Sequence, residues 1–183
     1  MLDDPWECLG AALKWKGYPL NDNNPSHLKE ARDLLIQQKP LVKMYNSSNF
    51  DEALLSGDVW LAQGWSGQFA KAIDQNPNLA YVIPKEGSAV WTDCLTIPKS
   101  AHHLEEAHAF LNFLLDPRIA AEITEITGYA TTNEAAKSFL KSEILQSKIR
   151  YPDDITLARC EWFLARGASS QIMDRYWAEI KAR

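Results

Sequence analysis

The sequence predicts an α/β fold, in which helices alternate with short strands. Of its 183 residues, 46% are hydrophobic, which is normal for a protein with a buried core and too high for a disordered chain. Apolar residues recur at helical spacing in most segments, and a few short apolar stretches end at turn residues, as strands do. The alternation of the two patterns is typical of α/β proteins, and the length suits one medium domain or two small ones.

The first helix is predicted from signals at both of its ends. Asp4 can cap it, Pro5 takes the first helical position, and Glu7 follows three residues after the cap. Gly17 then ends the helix, because glycine readily adopts the left-handed conformation that closes many helices.

Two later helices are predicted by the same reasoning. The segment from Leu104 to Leu115 carries apolar residues at helical spacing. Asp116 and Pro117 begin another helix, which Gly128 ends. The other predicted helices are one that Ser26 caps, residues 49–56, one that Ser66 caps, residues 134–140, residues 154–164 and residues 170–181.

Three apolar stretches are predicted as extended strands, namely residues 58–63, 79–83 and 90–97. Pro84 and Pro98 end the second and the third, because proline cannot donate a hydrogen bond to a strand ladder.

The charge and the cysteines exclude several classes of function. The net charge of -5 argues against a general nucleic-acid binder, which needs a basic face to neutralise phosphates. An acidic protein is compatible with a cationic ligand.

Cys8, Cys94 and Cys160 are odd in number and far apart, so they predict neither a CxxC metal motif nor a disulfide framework. No apolar run approaches the roughly 20 residues that a membrane helix needs.

The histidines and the glycine turn do not predict a metal site or a hydrolase. His103 and His108 are not four residues apart, as two metal ligands on one helical face would be. The turn that contains Ser66 differs from a nucleophile elbow, because Gln68 stands where that motif needs its second glycine. We therefore predict no metal, no cofactor and no enzymatic activity.

Tryptophan beside a carboxylate is a more informative pattern. Trp65 lies in a glycine turn after a predicted strand, and Trp91 precedes Asp93 by two residues, so the latter two share one face of an extended segment. An indole face attracts a cation and covers methylene groups, at about 0.5–2 kcal/mol. A carboxylate supplies the counter-charge that a desolvated ammonium needs. These residues fit an alkylammonium ligand, although core tryptophans and a surface aspartate would give the same pattern.

Asp4 and Glu7 also allow two interpretations. They can simply start the first helix as a capping box. They can also present two carboxylates to a cation, if the positive end of the helix dipole lines a cleft. The two interpretations do not exclude each other.

Several short segments carry a resemblance to a known family. Examples are Trp65-Ser66-Gly67 and Trp91-Thr92-Asp93. In their order along nearly the whole chain they resemble the C-terminal half of the bacterial periplasmic spermidine/putrescine-binding proteins, which are the solute receptors of polyamine ABC importers. The other matching segments are Leu2-Asp3-Asp4 with Glu7, Ala12 to Tyr18, Pro84 to Gly87, Ile97-Pro98, Asn112 to Pro117, Gly128-Tyr129 with Asn133, Tyr151-Pro152 and Gly167 to Ser170.

The resemblance implies an α/β fold of the type II periplasmic-binding-protein kind, with a ligand clamped between two lobes. It also implies which residues bind the ligand, with carboxylates pairing with its amines and aromatic rings flanking its methylene chain. Tyr129 is assigned by the resemblance alone. Carried over position by position, the ligand-binding residues are Asp4, Glu7, Trp65, Trp91, Asp93 and Tyr129.

The resemblance further implies how the chain divides between the lobes. Residues 1–92 are expected to form most of the second lobe, residues 93–139 to return to the first lobe, and residues 140–183 to be a helical segment that packs on the second. Asp4, Glu7, Trp65 and Trp91 are expected on one lobe, with Asp93 near the crossing and Tyr129 on the other lobe.

The chain departs from the family pattern in two ways. Phe163 occupies a position where the family offers a glutamine to an amine, which affects the choice of polyamine. The chain also begins where the family is already halfway along, so we expect a C-terminal fragment of a periplasmic protein whose export signal lies upstream. Such a fragment would expose a sheet edge and apolar faces, which favour self-association.

The expected function is therefore polyamine binding for an ABC importer, with the membrane permease as partner and no role for nucleic acid. Two alternatives stay open. One is a receptor of the same fold for another small cationic or amine-containing ligand. The other is an interaction module in which the same residues only cap and pack.

Overall fold

Helices dominate the computed structural model, which describes residues 1–165, 167 and 169–183. Two 3-10 helices, Lys39–Leu41 and Glu134–Phe139, accompany them. The α-helices are α1 (Pro5–Trp15), α2 (Pro25–Gln38), α3 (Phe50–Leu55), α4 (Ser66–Gln75), α5 (Leu104–Leu114), α6 (Pro117–Thr127), α7 (Ser142–Leu145), α8 (Asp154–Leu157) and α9 (Ser169–Ala182).

The helices that were predicted from both ends form where expected. The Asp4 side chain accepts hydrogen bonds from the backbone N–H groups of Trp6 at 2.8 Å and Glu7 at 3.0 Å, so it caps α1. Gly17 follows that helix with a φ of 82°. Asp116 caps α6 in the same way, and Gly128 closes it with a φ of 83°. The predictions for α3, α5 and α9 also hold within one or two residues.

Other helix predictions need correction. Asn24, rather than Ser26, caps α2, because its side chain accepts from the Ser26 N–H while Pro25 takes the first helical position. The segment predicted at 134–140 is a 3-10 helix. The helix predicted at 154–164 ends at Leu157, and the chain then enters a strand.

That strand belongs to a two-stranded parallel sheet of β1 (Ala89–Val90) and β2 (Glu161–Trp162), in which Ala89 lies opposite Glu161 and Val90 opposite Trp162. The strands predicted at 58–63 and 79–83 do not form within the described part of the chain, and the one predicted at 90–97 is reduced to Val90. A strand needs a neighbour for its backbone hydrogen bonds.

By their internal contacts the residues form two compact units. The first unit comprises Met1–Gly64, Val82–Trp91 and Asp153–Arg183, and the second comprises Trp65–Tyr81 and Thr92–Pro152. The division into residues 1–92, 93–139 and 140–183 stays a prediction about lobes.

The core of the first unit lies where α1, α2 and α9 pack together. Leu9, Ala12 and Leu13 follow the three- and four-residue spacing of one helical face, and this face of α1 is buried. The buried residues of this core are Cys8, Leu9, Ala12, Leu13, Leu28, Ala31, Leu35, Met173, Tyr176, Trp177 and Ile180.

Polar contacts attach β2 to the end of α1 in the same unit. The Lys14 Nζ lies 2.6 Å from the Glu161 carboxylate and also donates to the Arg159 carbonyl. The other Glu161 oxygen accepts from the Leu20 N–H at 3.0 Å. Asn21 both donates to the Trp162 carbonyl and accepts from the Leu164 N–H. The backbone of β2 is thus bonded by Asn21 as well as by its neighbouring strand β1.

The second unit has a small core and exposed apolar side chains. Its buried cluster consists of Ala120, Ala121, Ala136 and Leu140. Helix α5, which is wholly described, buries none of its residues, and Phe110 and Phe113 are more than half exposed. Self-association through such faces stays a prediction.

In the described part of the chain no helix is both long and apolar enough to cross a membrane. Ala168, which belongs to one of the segments with the family resemblance, lies outside the described residues.

Candidate functional site

The six residues predicted to bind a ligand fall into two sets of three, one in each unit. Trp65 belongs to the second unit, and its expected place on one lobe with Asp4, Glu7 and Trp91 stays a prediction. The first set is Asp4, Glu7 and Trp91, and the second set is Trp65, Asp93 and Tyr129.

The start of α1 presents two partly buried carboxylates. Asp4 uses Oδ1 for both of its cap bonds, so Oδ2 can accept from a ligand. Gln63 secures the first turn, because its side-chain amide donates to the Glu7 carbonyl at 3.2 Å and its oxygen accepts from the Cys8 thiol at 3.4 Å. Asp4 is therefore a helix cap and a candidate ligand contact at once.

Aromatic rings follow the two short strands at their carboxyl ends. Trp91 comes directly after β1, and Phe163 comes directly after β2 and donates its N–H to the Val90 carbonyl. The Phe163 ring meets the Trp6 ring edge-on, with 6.1 Å between their centroids. The ends of the strands and the start of α1 thus place aromatic rings and carboxylates in one unit.

The second set is organised by the first turn of α4. The prediction that Ser66 caps this helix is wrong, because Ser66 is its first residue and Trp65 takes the cap position without a side-chain cap bond. Gly67 is buried within the first turn. A Cβ atom on Gly67 would lie only 2.6–2.7 Å from three atoms of the Tyr129 ring. The Tyr129 ring therefore packs against the backbone at Gly67, where a larger residue has no room for its Cβ atom.

The phenol of Tyr129 is partly buried and is affected by a negative charge. Burial raises the pKa of Tyr129, and the negative charge of Asp93 and the phenol of Tyr81 raise it further. The Tyr81 ring in turn packs on Phe69 at a centroid distance of 5.7 Å. The Asp93 carboxylate therefore acts electrostatically on the Tyr129 phenol, and both residues belong to the second unit.

Sequence reasoning missed several residues of these two clusters. Gly67 was recorded only as part of a turn, and Tyr81 was assigned to a strand that does not form. Trp6 was predicted only as a residue of the first helix and not as a site residue. A glycine two residues after a candidate anchor, Trp65, was a usable signal, because close approach of a ring is a common reason for glycine.

No chemistry for metal binding emerges from the residues that the structure describes. Among residues 1–165, 167 and 169–183, no group of three His, Cys, Asp or Glu side chains is placed to hold a metal ion. The three cysteines are free, and burial raises the pKa of the Cys8 thiol to about 12, so this group stays protonated and unreactive at neutral pH.

Comparison with known proteins gives a consistent result. The bacterial extracellular solute-binding protein family matches residues 1–151. A putrescine/cadaverine-binding protein of Pseudomonas aeruginosa is 34% identical over 190 residues, which cover 100% of this chain and 54% of that protein. A spermidine/putrescine-binding periplasmic protein of Salmonella typhimurium is 36% identical over 182 residues and is covered to 52%. The chain therefore spans about half the length of the curated relatives it matches.

Solved structures agree with the predicted fold class. A putative spermidine/putrescine ABC transporter from Listeria monocytogenes matches with a TM-score of 0.91 and 35% identity, over 98% of this chain and 56% of that chain. The Tp0655 lipoprotein of Treponema pallidum matches with a TM-score of 0.86 and 29% identity, over 100% of this chain and 57% of that chain. The α/β fold of the periplasmic-binding-protein kind is thereby confirmed.

Proposed function

Because this chain belongs to the bacterial extracellular solute-binding protein family, we propose that it is part of a polyamine receptor that serves an ABC importer. The proposal is one of capture and delivery without catalysis. The relatives whose names describe binding of putrescine, cadaverine or spermidine support the ligand class. The proposed partner is the membrane permease, and the proposed location is the periplasm.

We propose that carboxylates pair with the ligand's ammonium groups while aromatic rings cover its methylenes. Ammonium groups need a direct counter-charge once they leave water, and a ring face adds a cation–π attraction of about 0.5–2 kcal/mol. The observation that supports the proposal is that the Tyr129 ring is packed on Gly67, directly after Trp65 and Ser66, in the same unit as Asp93, whose charge raises the pKa of Tyr129. The proposed ligand-binding residues are Asp4, Glu7, Trp65, Trp91, Asp93 and Tyr129.

A titration of the protein in its natural length with a panel of ligands tests this function. We expect putrescine, cadaverine or spermidine to change the tryptophan fluorescence and to bind in isothermal titration calorimetry, while dicarboxylates of matched length do not bind. Binding of anions in preference to amines would contradict the proposal. Binding of another amine, with none of the polyamines, would favour a receptor of the same fold for a different ligand.

The ring of Phe163 supports a preference among polyamines. It lies edge-on to Trp6 and directly after β2, so it offers methylene contact and no acceptor. The neighbouring carboxylate of Glu161 is already neutralised by Lys14 and accepts from the Leu20 N–H. We therefore expect Phe163 to favour a ligand whose aliphatic chain carries no internal ammonium group, as in a diamine, over one that has such a group.

A substitution at this position tests the preference. We expect Phe163→Gln to raise the affinity for spermidine relative to cadaverine by about tenfold, because the amide oxygen can accept from an internal ammonium and a hydrogen bond to a charged group contributes about 1.5–3 kcal/mol. Phe163→Leu is the matched control, since it keeps an apolar side chain, and it should leave the ratio of the two affinities unchanged. An unchanged ratio in Phe163→Gln would show that Phe163 does not face the ligand.

A further inference from the structure

Two chain segments of the second unit approach each other backbone to backbone. Gly128 closes α6 in the left-handed conformation, and a Cβ atom on it would lie 2.3 Å from the Gly67 carbonyl oxygen. The next residue is Tyr129, whose ring covers Gly67. The pair of glycines thus sets the distance between the start of α4 and the segment that carries Tyr129.

The guanidinium group of Arg150 also connects these two segments. The side chain of Arg150 is only 9% exposed. Its Nε donates to the Gly128 carbonyl at 2.9 Å, and one of its terminal nitrogens lies 3.5 Å from the carboxylate of Asp74, a residue of α4. The other terminal nitrogen is 3.4 Å from the Ser147 hydroxyl. Arg150 therefore joins α4 to the residue before Tyr129.

The residue after Arg150 holds the chain on the far side of Tyr129. The phenol oxygen of Tyr151 accepts a hydrogen bond from the Thr131 N–H at 3.3 Å. The backbone is thus fixed one residue before and two residues after Tyr129, by two consecutive side chains. A largely buried cation is costly unless it is paired and hydrogen-bonded, and a planar guanidinium can satisfy several acceptors in fixed directions.

We propose that Arg150, with Tyr151, is a positioning residue that holds the Tyr129 ring against the turn of Trp65 and Gly67 for ligand binding. This role rests on the proposed polyamine-binding function, and Arg150 itself is not proposed to touch the ligand. The contacts of Arg150 and Tyr151 form a clamp on the backbone at either side of Tyr129. We expect this clamp to keep the distance between Trp65 and Tyr129 fixed before the ligand binds. Pre-organisation of this kind reduces the entropy that binding must otherwise remove.

Two variants of the clamp are compared in the natural-length protein. Arg150→Met removes the guanidinium, and Tyr151→Phe removes one oxygen atom and keeps the ring. We expect the affinity for cadaverine or spermidine, whichever the wild type binds more tightly, to fall by about tenfold in Arg150→Met and severalfold in Tyr151→Phe. Arg150→Lys should restore part of the loss, because an ammonium can still donate to the Gly128 carbonyl.

A control and a second readout separate positioning from general stability. Arg118→Met removes another cation of the same unit, which stacks on Phe139 at 4.7 Å, and it should leave the affinity unchanged. Carbon-13 NMR of the tyrosine rings, assigned with Tyr129→Phe, follows the titration of Tyr129 without any ligand. We expect Arg150→Met to move the pKa of Tyr129 back towards its ordinary value, because the ring leaves its buried place near Asp93.

Each outcome bears on a different claim. Wild-type affinity and an unchanged Tyr129 titration in both clamp variants would overturn the positioning role. If Arg150→Met does not fold, Tyr151→Phe alone decides in the same way. If the wild type binds no amine, the proposed function fails, while the titration of Tyr129 still tests the clamp.

Discussion

Asp93→Asn is expected to weaken polyamine binding by a factor of about ten or more. The change keeps the shape of the side chain but removes the charge that faces an ammonium group, and hydrogen bonds to charged groups contribute about 1.5–3 kcal/mol. The charge of Asp93 raises the pKa of Tyr129, a residue of the same unit, so we expect the amine that Asp93 binds to interact with the Tyr129 ring as well. Isothermal titration calorimetry on the natural-length protein measures the change.

Glu122→Gln is the matched control for this substitution. Glu122 is exposed on α6 in the same unit as Asp93, so the variant loses the same formal charge away from the proposed contact. Equal losses in the two variants would mean that overall charge attracts the ligand and that Asp93 does not bind it directly. Unchanged affinity in Asp93→Asn would remove this residue from the site.

Gly87→Ala is expected to lower the free energy of unfolding of the first unit by about 2–5 kcal/mol. Gly87 has a φ of 90°, and a Cβ atom on it would lie 1.8 Å from the carbonyl oxygen of Arg159. The left-handed conformation costs a non-glycine residue about 1–2 kcal/mol, and relieving an overpacked contact costs about 1–3 kcal/mol more. The backbone around Arg159 leads into β2, so the paired strands would separate.

Gly57→Ala measures the conformational cost alone, so its difference from Gly87→Ala gives the cost of the overpacked contact. Gly57 has a φ of 77°, and a Cβ atom on it would meet nothing within 4 Å, so only the conformational cost of about 1–2 kcal/mol remains. Urea denaturation followed by circular dichroism compares the two variants. Equal destabilisation would show that the segment before β2 moves aside freely and that the close packing at Gly87 contributes nothing.

The ends of α1 and α6 could be predicted because their signals are local. The limits of α1 follow from a carboxylate, a proline and a glycine at the right spacing, without reference to the rest of the molecule. Asp4 caps the helix through its side chain, and Gly17 adopts the left-handed conformation after it. The cap of α2 was misplaced by two residues, because asparagine and serine are both good caps and only the geometry selects Asn24.

The strands could not be predicted in the same way. Trp60 and Leu61 have the composition of a strand, yet they are 93% and 92% exposed. Glu161 and Trp162 were predicted as part of a helix and form β2 because β1 lies beside them. A strand is stabilised by a neighbour that is distant in sequence, and no local pattern encodes that neighbour.

The candidate site was predictable as chemistry and not as an arrangement. The pairing of tryptophans with carboxylates followed from the residues, and the resemblance added Tyr129. The Tyr129 ring packs on Gly67, and Arg150 and Tyr151 bind the backbone of Gly128 and Thr131 on either side of it. These contacts join positions that are distant in the sequence, so no local pattern predicts them.

By itself the sequence determined where α1 and α6 begin and end and which kinds of side chain can meet an amine. These are properties of neighbouring residues, whose hydrogen bonds and charges act over one helical turn. The tertiary structure decided which strands form and that Trp65 belongs to the same compact unit as Asp93 and Tyr129. It also decided at which glycines there is no room for a Cβ atom. Those outcomes depend on the packing of segments that only folding brings together, and packing tolerates no overlap of atoms.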